Sequence, residues 1–378
     1  MVDVSEQMLA DLRDRLENTR WPRDSARGWG EGPNVDYVVE LVRYWRTRFD
    51  WRAQERALNS FPQFRSTLDG RRIHFVHVRG CGPDSMPLVL THGWPSTFFE
   101  YLKIIPLLTD PEGFGGDPAD SFDVVVPSLP GYGFSDTLPV GAFNRVPELW
   151  VRLMSTLGYE RFGAYGGDIG GMVTNRLALE HPERLIGIST SFLAEPYIGE
   201  GAAPLSGAEQ AFLECRRQND EVSGGYTHLG RTTPQLLSFP AGDSPAGLAA
   251  QIVHFWRLWS DCDGEIERRF TKDELLITVM LYWVSNSIAS SYRPYVDWAL
   301  GSTGRPSVWE TRPEVSAGVD SKPLGRGETI DVPAAITLFS LARAPREWAE
   351  RAYSDIQRFT DMPRGGHFGA MEEPALLA

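Results

Sequence analysis

The 378 residues carry 37 Lys and Arg against 50 Asp and Glu, a formal net charge of −13. That balance excludes a general affinity for nucleic acid or an anionic membrane, since both need basic patches. With 42% apolar and 23% charged residues, the composition is globular, and a chain of this length buries a core without staples.

The length fits two or three small domains, or one large α/β domain with an insertion. Cys81, Cys215 and Cys262 are odd in number and widely spaced. They form no CxxC pair or disulfide framework, which fits a reducing compartment. The start, MVDVSEQMLADLRDRL, is charged early and has no apolar h-region, so no signal peptide is expected. No run of about 18 apolar residues predicts a membrane span. Twelve tryptophans and twelve tyrosines point to an aromatic-lined cavity.

In chain order, residues 5–18 predict a helix with Leu9, Leu12 and Leu16 on one face, ended by Trp21-Pro22. After the loop GWGEGP (28–33), residues 36–49 predict a second helix with Tyr37, Val38, Leu41, Val42 and Trp45 at helical spacing. This front segment has too few apolar positions for a core of its own and is expected to wrap around the rest. RIHFVHV (72–78) alternates as a strand. PLVLTHGWP (87–95) and SFDVVVPSLPGYGFSD (121–136) run from apolar strand into Gly/Pro loop, as central strands buried on both faces do. A helix at 146–157, a strand and Gly-rich turn at 162–171, a helix at 172–182 and a strand at 184–190 follow. Strand–helix alternation implies a parallel sheet with right-handed crossovers. The alternation stops from about Glu195 to Arg326, where two helices stand out. Asp243-Ser244-Pro245 caps one, and the capping box Thr271-x-x-Glu274 opens the other. Strands return at 331–339 and 357–363.

The strongest chemical signal is Gly166-Gly167-Asp168-Ile169-Gly170-Gly171, at a sharp strand-to-helix turn. Small residues on both sides allow an elbow that pushes the central side chain into a cleft. A carboxylate there does not run serine-type acyl transfer. It can attack an sp³ carbon and form an alkyl-enzyme ester, which water must then hydrolyse with the help of a base. The plain alternative is an Asp N-cap on a Gly-rich turn. Thr91-His92-Gly93-Trp94-Pro95 follows a strand, where this architecture supplies an oxyanion N–H to pair with that of Ile169. His92 reads as a structural loop histidine. His367, in Gly365-Gly366-His367-Phe368 after the last strand, fits the base in the chain order nucleophile, acid, histidine. The remaining histidines show no metal-ligand spacing, and the glycine runs match no nucleotide loop, so no metal and no cofactor are expected.

Together these residues resemble the α/β-hydrolase epoxide hydrolases of the microsomal type, in a bacterial soluble form. The resemblance runs from LRDRLENTRWP (12–22) through HGWPSTFFEY (92–101), PSLPGYGFS (127–135) and GGDIGG (166–171). It continues through GGYTHLGRTTPQ (224–235), DSPAGLAA (243–250), RFTKDELL (269–276) and SSYRPY (290–295) to RGGHFGAMEEP (364–374). It implies an α/β fold with a mostly parallel sheet. The wrapping segment would be 1–70, the core 71–194 with 327–378, and a helical cap 195–326. It implies an ether-bond hydrolase turning an epoxide into a vicinal diol. Asp168 would be the nucleophile, His367 the base, Tyr226 and Tyr295 the acids on the epoxide oxygen, and the N–H groups of Trp94 and Ile169 the oxyanion donors.

The sequence departs from the family in three places. The family's acid follows the strand at 331–339 in a segment like F-P-x-E, whereas Leu338 to Pro345 here is two residues shorter and has no carboxylate. Glu195 and Glu347 are the weak candidates to replace it. Ile169 stands where many relatives have Trp. The chain stops at Ala378, before an expected terminal helix, and it lacks the animal enzymes' anchor, so a cytoplasmic protein is expected. The partners would be a bulky, apolar, aromatic or natural-product epoxide and water, with no nucleic acid and no membrane. The family allows a homodimer. Two alternatives stay open: a dehalogenase on the same fold, and a non-catalytic ligand-binding homologue.

Overall fold

The computed structural model describes residues 2–23, 28–303, 323–340 and 343–378, with side chains 299–303 left aside. Part of the expected cap (304–322) and Leu341 and Ala342 therefore lie outside the described residues.

The front segment forms α1 (Glu6–Glu17), α2 (Val35–Thr47) and α3 (Trp51–Asn59). The first two follow the apolar spacing: Leu9, Leu12 and Leu16 of α1, and Val38, Leu41, Val42 and Trp45 of α2, are buried. Ser5, Asn34 and Asp50 cap the three helices by accepting from backbone N–H groups. The expectation that residues 1–70 only wrap the core needs refining, because residues 63–68 form a strand of the main sheet.

The sheet has eight strands: β1 (Gln63–Leu68), β2 (Arg71–Val78), β3 (Met86–Thr91), β4 (Phe122–Pro127), β5 (Phe162–Gly166), β6 (Leu185–Thr190), β7 (Ala334–Leu338) and β8 (Ile356–Asp361). Their spatial order is β1-β2-β4-β3-β5-β6-β7-β8. The β1–β2 and β2–β4 pairs are antiparallel, and every other pair is parallel. This is the α/β architecture the resemblance implies. Val124, Val125 and Val126 are all buried, as strands covered on both faces require.

Around the sheet run α4 (Ile105–Thr109), α5 (Val146–Thr156) and α6 (Asp168–Glu180). The cap between β6 and β7 holds α7 (Gly207–Ser223), α8 (Gly225–Thr232), α9 (Gln235–Asp243), α10 (Pro245–Trp259), α11 (Lys272–Ser285) and α12 (Arg293–Thr303). The chain closes with α13 (Arg346–Glu350), α14 (Gly369–Glu372) and α15 (Pro374–Leu377). Helices α1 and α2 pack on α10, and α2 also on α11, so the front segment braces the cap as well as joining the sheet. Among the described residues, no single helix is long and apolar enough to cross a membrane.

Candidate active site

The site sits at the C-terminal ends of β3, β5 and the strands beside them. Strand β5 ends at Gly166 and α6 begins at Asp168, with only Gly167 between. Asp168 takes φ +50°, the left-handed region that side-chain-bearing residues rarely occupy. The turn is this tight because the backbones nearly touch: a Cβ on Gly170 would lie 1.7 Å from the Thr91 carbonyl oxygen. On the facing loop, a Cβ on Gly93 would lie 2.3 Å from Asp168 Oδ1, so glycine there leaves room for the carboxylate.

The two carboxylate oxygens have different neighbours. Oδ1 accepts from the Trp94 N–H at 2.8 Å, and Oδ2 lies 3.5 Å from His367 Nε2. The Ile169 N–H is in the first turn of α6, where amides have no intrahelical acceptor. Oδ1 thus takes a backbone donor while Oδ2 lies toward the imidazole.

The loop carrying Trp94 is built from buried parts. His92 is fully buried; its Nε2 accepts from Leu129 N at 3.1 Å, and its Nδ1 is 3.1 Å from the Gly93 carbonyl. Burial pulls its pKa down to about 4, which keeps it neutral. The cap is fastened to the same loop. Trp256 Nε1 donates to the Pro95 carbonyl at 3.1 Å, the Tyr282 hydroxyl donates to the Ser96 carbonyl at 2.9 Å, and Trp94 Nε1 donates to Ser291 Oγ at 3.1 Å.

His367 belongs to a loop clamped to the cap. Its own N–H donates to the Trp259 carbonyl at 2.8 Å. Glu372 accepts from the N–H groups of Phe368 and Gly366, both at 3.0 Å, and of Asp261 at 2.8 Å. Asp261 in turn accepts from Gly365 N at 2.8 Å. Burial lowers the imidazole's pKa, but the hydrogen bond and charge of Asp168, then the charges of Glu100 and Glu372, outweigh it and leave it raised.

Asp168, His367, Tyr226 and Glu195 line one cavity of about 330 Å³, with Phe192, Trp259 and Trp348 among its apolar walls. Tyr226 stacks on Trp94, ring centres 5.2 Å apart and planes within 9°. Tyr295 is 2% exposed and stands against Tyr226 at 6.1 Å, edge to face, outside that lining. Burial pushes both phenols up, and the Asp168 charge adds to it, so both stay protonated and able to donate.

The two acid candidates differ in place: Glu195 lines the cavity and Glu347 does not. Glu195 pairs with Arg216 at 2.7 Å. Glu347 accepts a hydrogen bond from the Ser206 hydroxyl at the start of α7 and does not line the cavity. Beyond β7, Ser340 Oγ donates to the Gly365 carbonyl at 2.9 Å. Among the described residues no carboxylate bonds the second ring nitrogen of His367. The sequence reading passed over Glu100 and Glu372, whose charges both act on His367. A signal existed for Glu100: it is a lone carboxylate in the apolar run Phe98-Phe99-Glu100-Tyr101-Leu102. Among the described residues no cluster of three or more His, Cys, Asp or Glu is placed to hold a metal.

Comparison with known proteins adds relatives to this geometry. Residues 1–101 match the family described as "Epoxide hydrolase N terminus", and residues 86–223 match "alpha/beta hydrolase fold". The chain is 40% identical to a putative epoxide hydrolase of Stigmatella aurantiaca, covering 100% of this chain and 82% of that protein. It is 33% identical to epoxide hydrolase 1 of Sus scrofa, covering 100% and 86%. The solved structure of Aspergillus niger epoxide hydrolase superposes with a TM-score of 0.80 at 25% identity, covering 100% of this chain and 92% of that one.

Proposed function

This chain belongs to the epoxide hydrolase family of the α/β-hydrolase fold, and we propose that it opens a bulky, aromatic or natural-product epoxide through an ester on Asp168. The observation that carries this reading is the division of the carboxylate, with Oδ1 on the Trp94 N–H and Oδ2 toward His367 and the aromatic cavity. Oδ2 attacks the epoxide carbon. The carbon–oxygen bond breaks, and the departing oxygen takes a proton from Tyr226 or Tyr295. An alkoxide leaves poorly without such an acid, which is the chemical reason for two protonated phenols at this place.

His367 Nε2 then takes a proton from water as the water oxygen bonds to the Asp168 carbonyl carbon. The N–H groups of Trp94 and Ile169 hold the resulting oxyanion. Collapse expels the diol oxygen, which takes the proton back from the imidazolium; the second water proton, left on the Asp168 carboxyl, passes back to the phenolate and restores both groups. Tight aromatic walls around Trp259, Phe192 and Trp348 favour a flat apolar substituent. The three unpaired cysteines suit a reducing cytoplasm. The dehalogenase alternative commonly uses an indole donor directly after the nucleophile to bind halide, whereas residue 169 here is Ile.

The test is diol formation from styrene oxide, with Asp168→Ala as the control. Wild-type turnover that vanishes in the variant, with an ester mass on the quenched wild type, supports the reading. Diol formation by the variant would sink it.

A further inference from the structure

Ester hydrolysis makes His367 an imidazolium, and a buried imidazolium needs a negative neighbour. In this chain the stretch from Leu338 to Pro345, just past β7, offers no carboxylate. A different one stands beside the site. Glu100 lies on the 3-10 turn Phe98–Tyr101, just past the Trp94 loop, and is 8% exposed. That turn packs against α14, the helix that follows His367.

A buried ionised carboxylate is costly unless a cation or donors meet it. The groups acting on Glu100 are the Ser96 hydroxyl, the imidazole of His367 and the carboxylates of Asp168 and Glu372. It acts in turn on the phenols of Tyr101, Tyr165 and Tyr282. Of all these only His367 can become a cation. The nearest lysine in sequence, Lys103, is turned away to Glu274 at 2.6 Å and the Met371 carbonyl at 3.1 Å. We propose that Glu100 is the positioning residue that supports His367 in ester hydrolysis, in place of the acid missing after β7.

The inference rests on the Asp168-ester reading above. During hydrolysis the water proton moves to His367 Nε2 and the water oxygen bonds to the ester carbon. Glu100 takes up no proton; its charge is offset by the imidazolium until Nε2 returns the proton to the departing alkoxide. Burial, the largest influence, pushes Glu100 up to about 7, and the nearby imidazole pulls it back. His367 is raised in turn, although its burial acts against this. On His367 the facing charges are Asp168 from the elbow, Glu100 from the turn and Glu372 from α14. Removing the Glu100 charge therefore lowers the imidazole's pKa. The acid limb of hydrolysis moves to lower pH, while the weaker base lowers the plateau.

The experiment follows ester formation and decay on the full chain with styrene oxide, by rapid quench and intact mass, across pH. Glu100→Gln should form the ester within about threefold of the wild-type rate and hydrolyse it about tenfold or more slowly, with the acid limb displaced downward. Glu100→Asp keeps the charge one methylene farther off and should give an intermediate ester lifetime. Wild-type ester lifetime and pH profile in both variants, or in Glu100→Asp alone should the Gln variant not fold, would overturn the proposal. So would a slow-hydrolysis phenotype in Glu195→Gln that Glu100→Gln lacks. A wild type that forms no ester would refute the underlying reading instead, and the proposal with it.

Discussion

Asp168 at φ +50° shows how one residue concentrates the chemistry. A carboxylate held in that conformation costs about 1–3 kcal/mol of local strain, which the surrounding packing must offset. In that conformation Oδ2 lies toward His367 while Oδ1 stays on the Trp94 N–H. The tyrosines divide in the same way. Tyr226 faces the cavity and Tyr295 stands behind it. Tyr226→Phe is expected to slow ester formation more than Tyr295→Phe. The double Phe variant should lose about a hundredfold or more, within the range for a lost general acid. Ester hydrolysis should be unchanged in all three, read from the decay of the mass adduct in single-turnover runs. The roles proposed for Asp168 and His367 rest on motif order that the sequence shows, because each lies in a short Gly-rich stretch after a strand. The role proposed for Glu100 could not be read so: its place in an apolar run flags a buried carboxylate but does not say which group it faces.

Among the elements, the loop from Gly365 to Phe368 shows how a histidine is held where no described carboxylate bonds its second nitrogen. Three backbone N–H groups, from Gly366, Phe368 and Asp261, converge on the carboxylate of Glu372. An unsatisfied buried donor costs about 1–3 kcal/mol. Glu372→Ala is therefore expected to lower stability by more than about 2 kcal/mol and to make the 365–368 loop sensitive to protease. Urea denaturation and limited proteolysis check this, and a variant with the wild-type midpoint would show that water takes over these contacts. Helices α1 and α2 were legible because their apolar residues recur at helical spacing. Helices α7, α8 and α9 were not. Their apolar side chains are partly turned outward, with Val222, Leu236 and Phe239 at 89%, 65% and 76% exposed, so no buried stripe marks them. The strand β1 was missed for a related reason: its burial alternates weakly, and only pairing with β2 defines it.

In the whole molecule, three parts meet at one loop. The core presents Trp94 to Ser96, and the cap fastens to them through Trp256, Tyr282 and Ser291. The front segment then braces the cap through α10 and α11. Leu41, on the buried face of α2, is fully enclosed. Leu41→Ala should cost about 2–5 kcal/mol, as large-to-small core changes do. Because α2 touches the cap, the loss should also raise cleavage within the cap helices under trypsin, measured beside the urea midpoint. Destabilisation without added cap cleavage would show that the front segment does not brace the cap.

The sequence by itself determined the alternation of strands and helices in the core, the strand-to-helix elbow at Asp168, and the glycine-bearing loops that carry Trp94 and His367. These depend on local chemistry, namely apolar runs, turn glycines and caps, and such chemistry is written in neighbouring residues. Only the tertiary structure decided which carboxylates face His367, which tyrosine fronts the cavity, and where Glu195 and Glu347 point. Those outcomes depend on distances between residues far apart in the chain. Burial and opposing charges, which no single segment contains, then set their protonation.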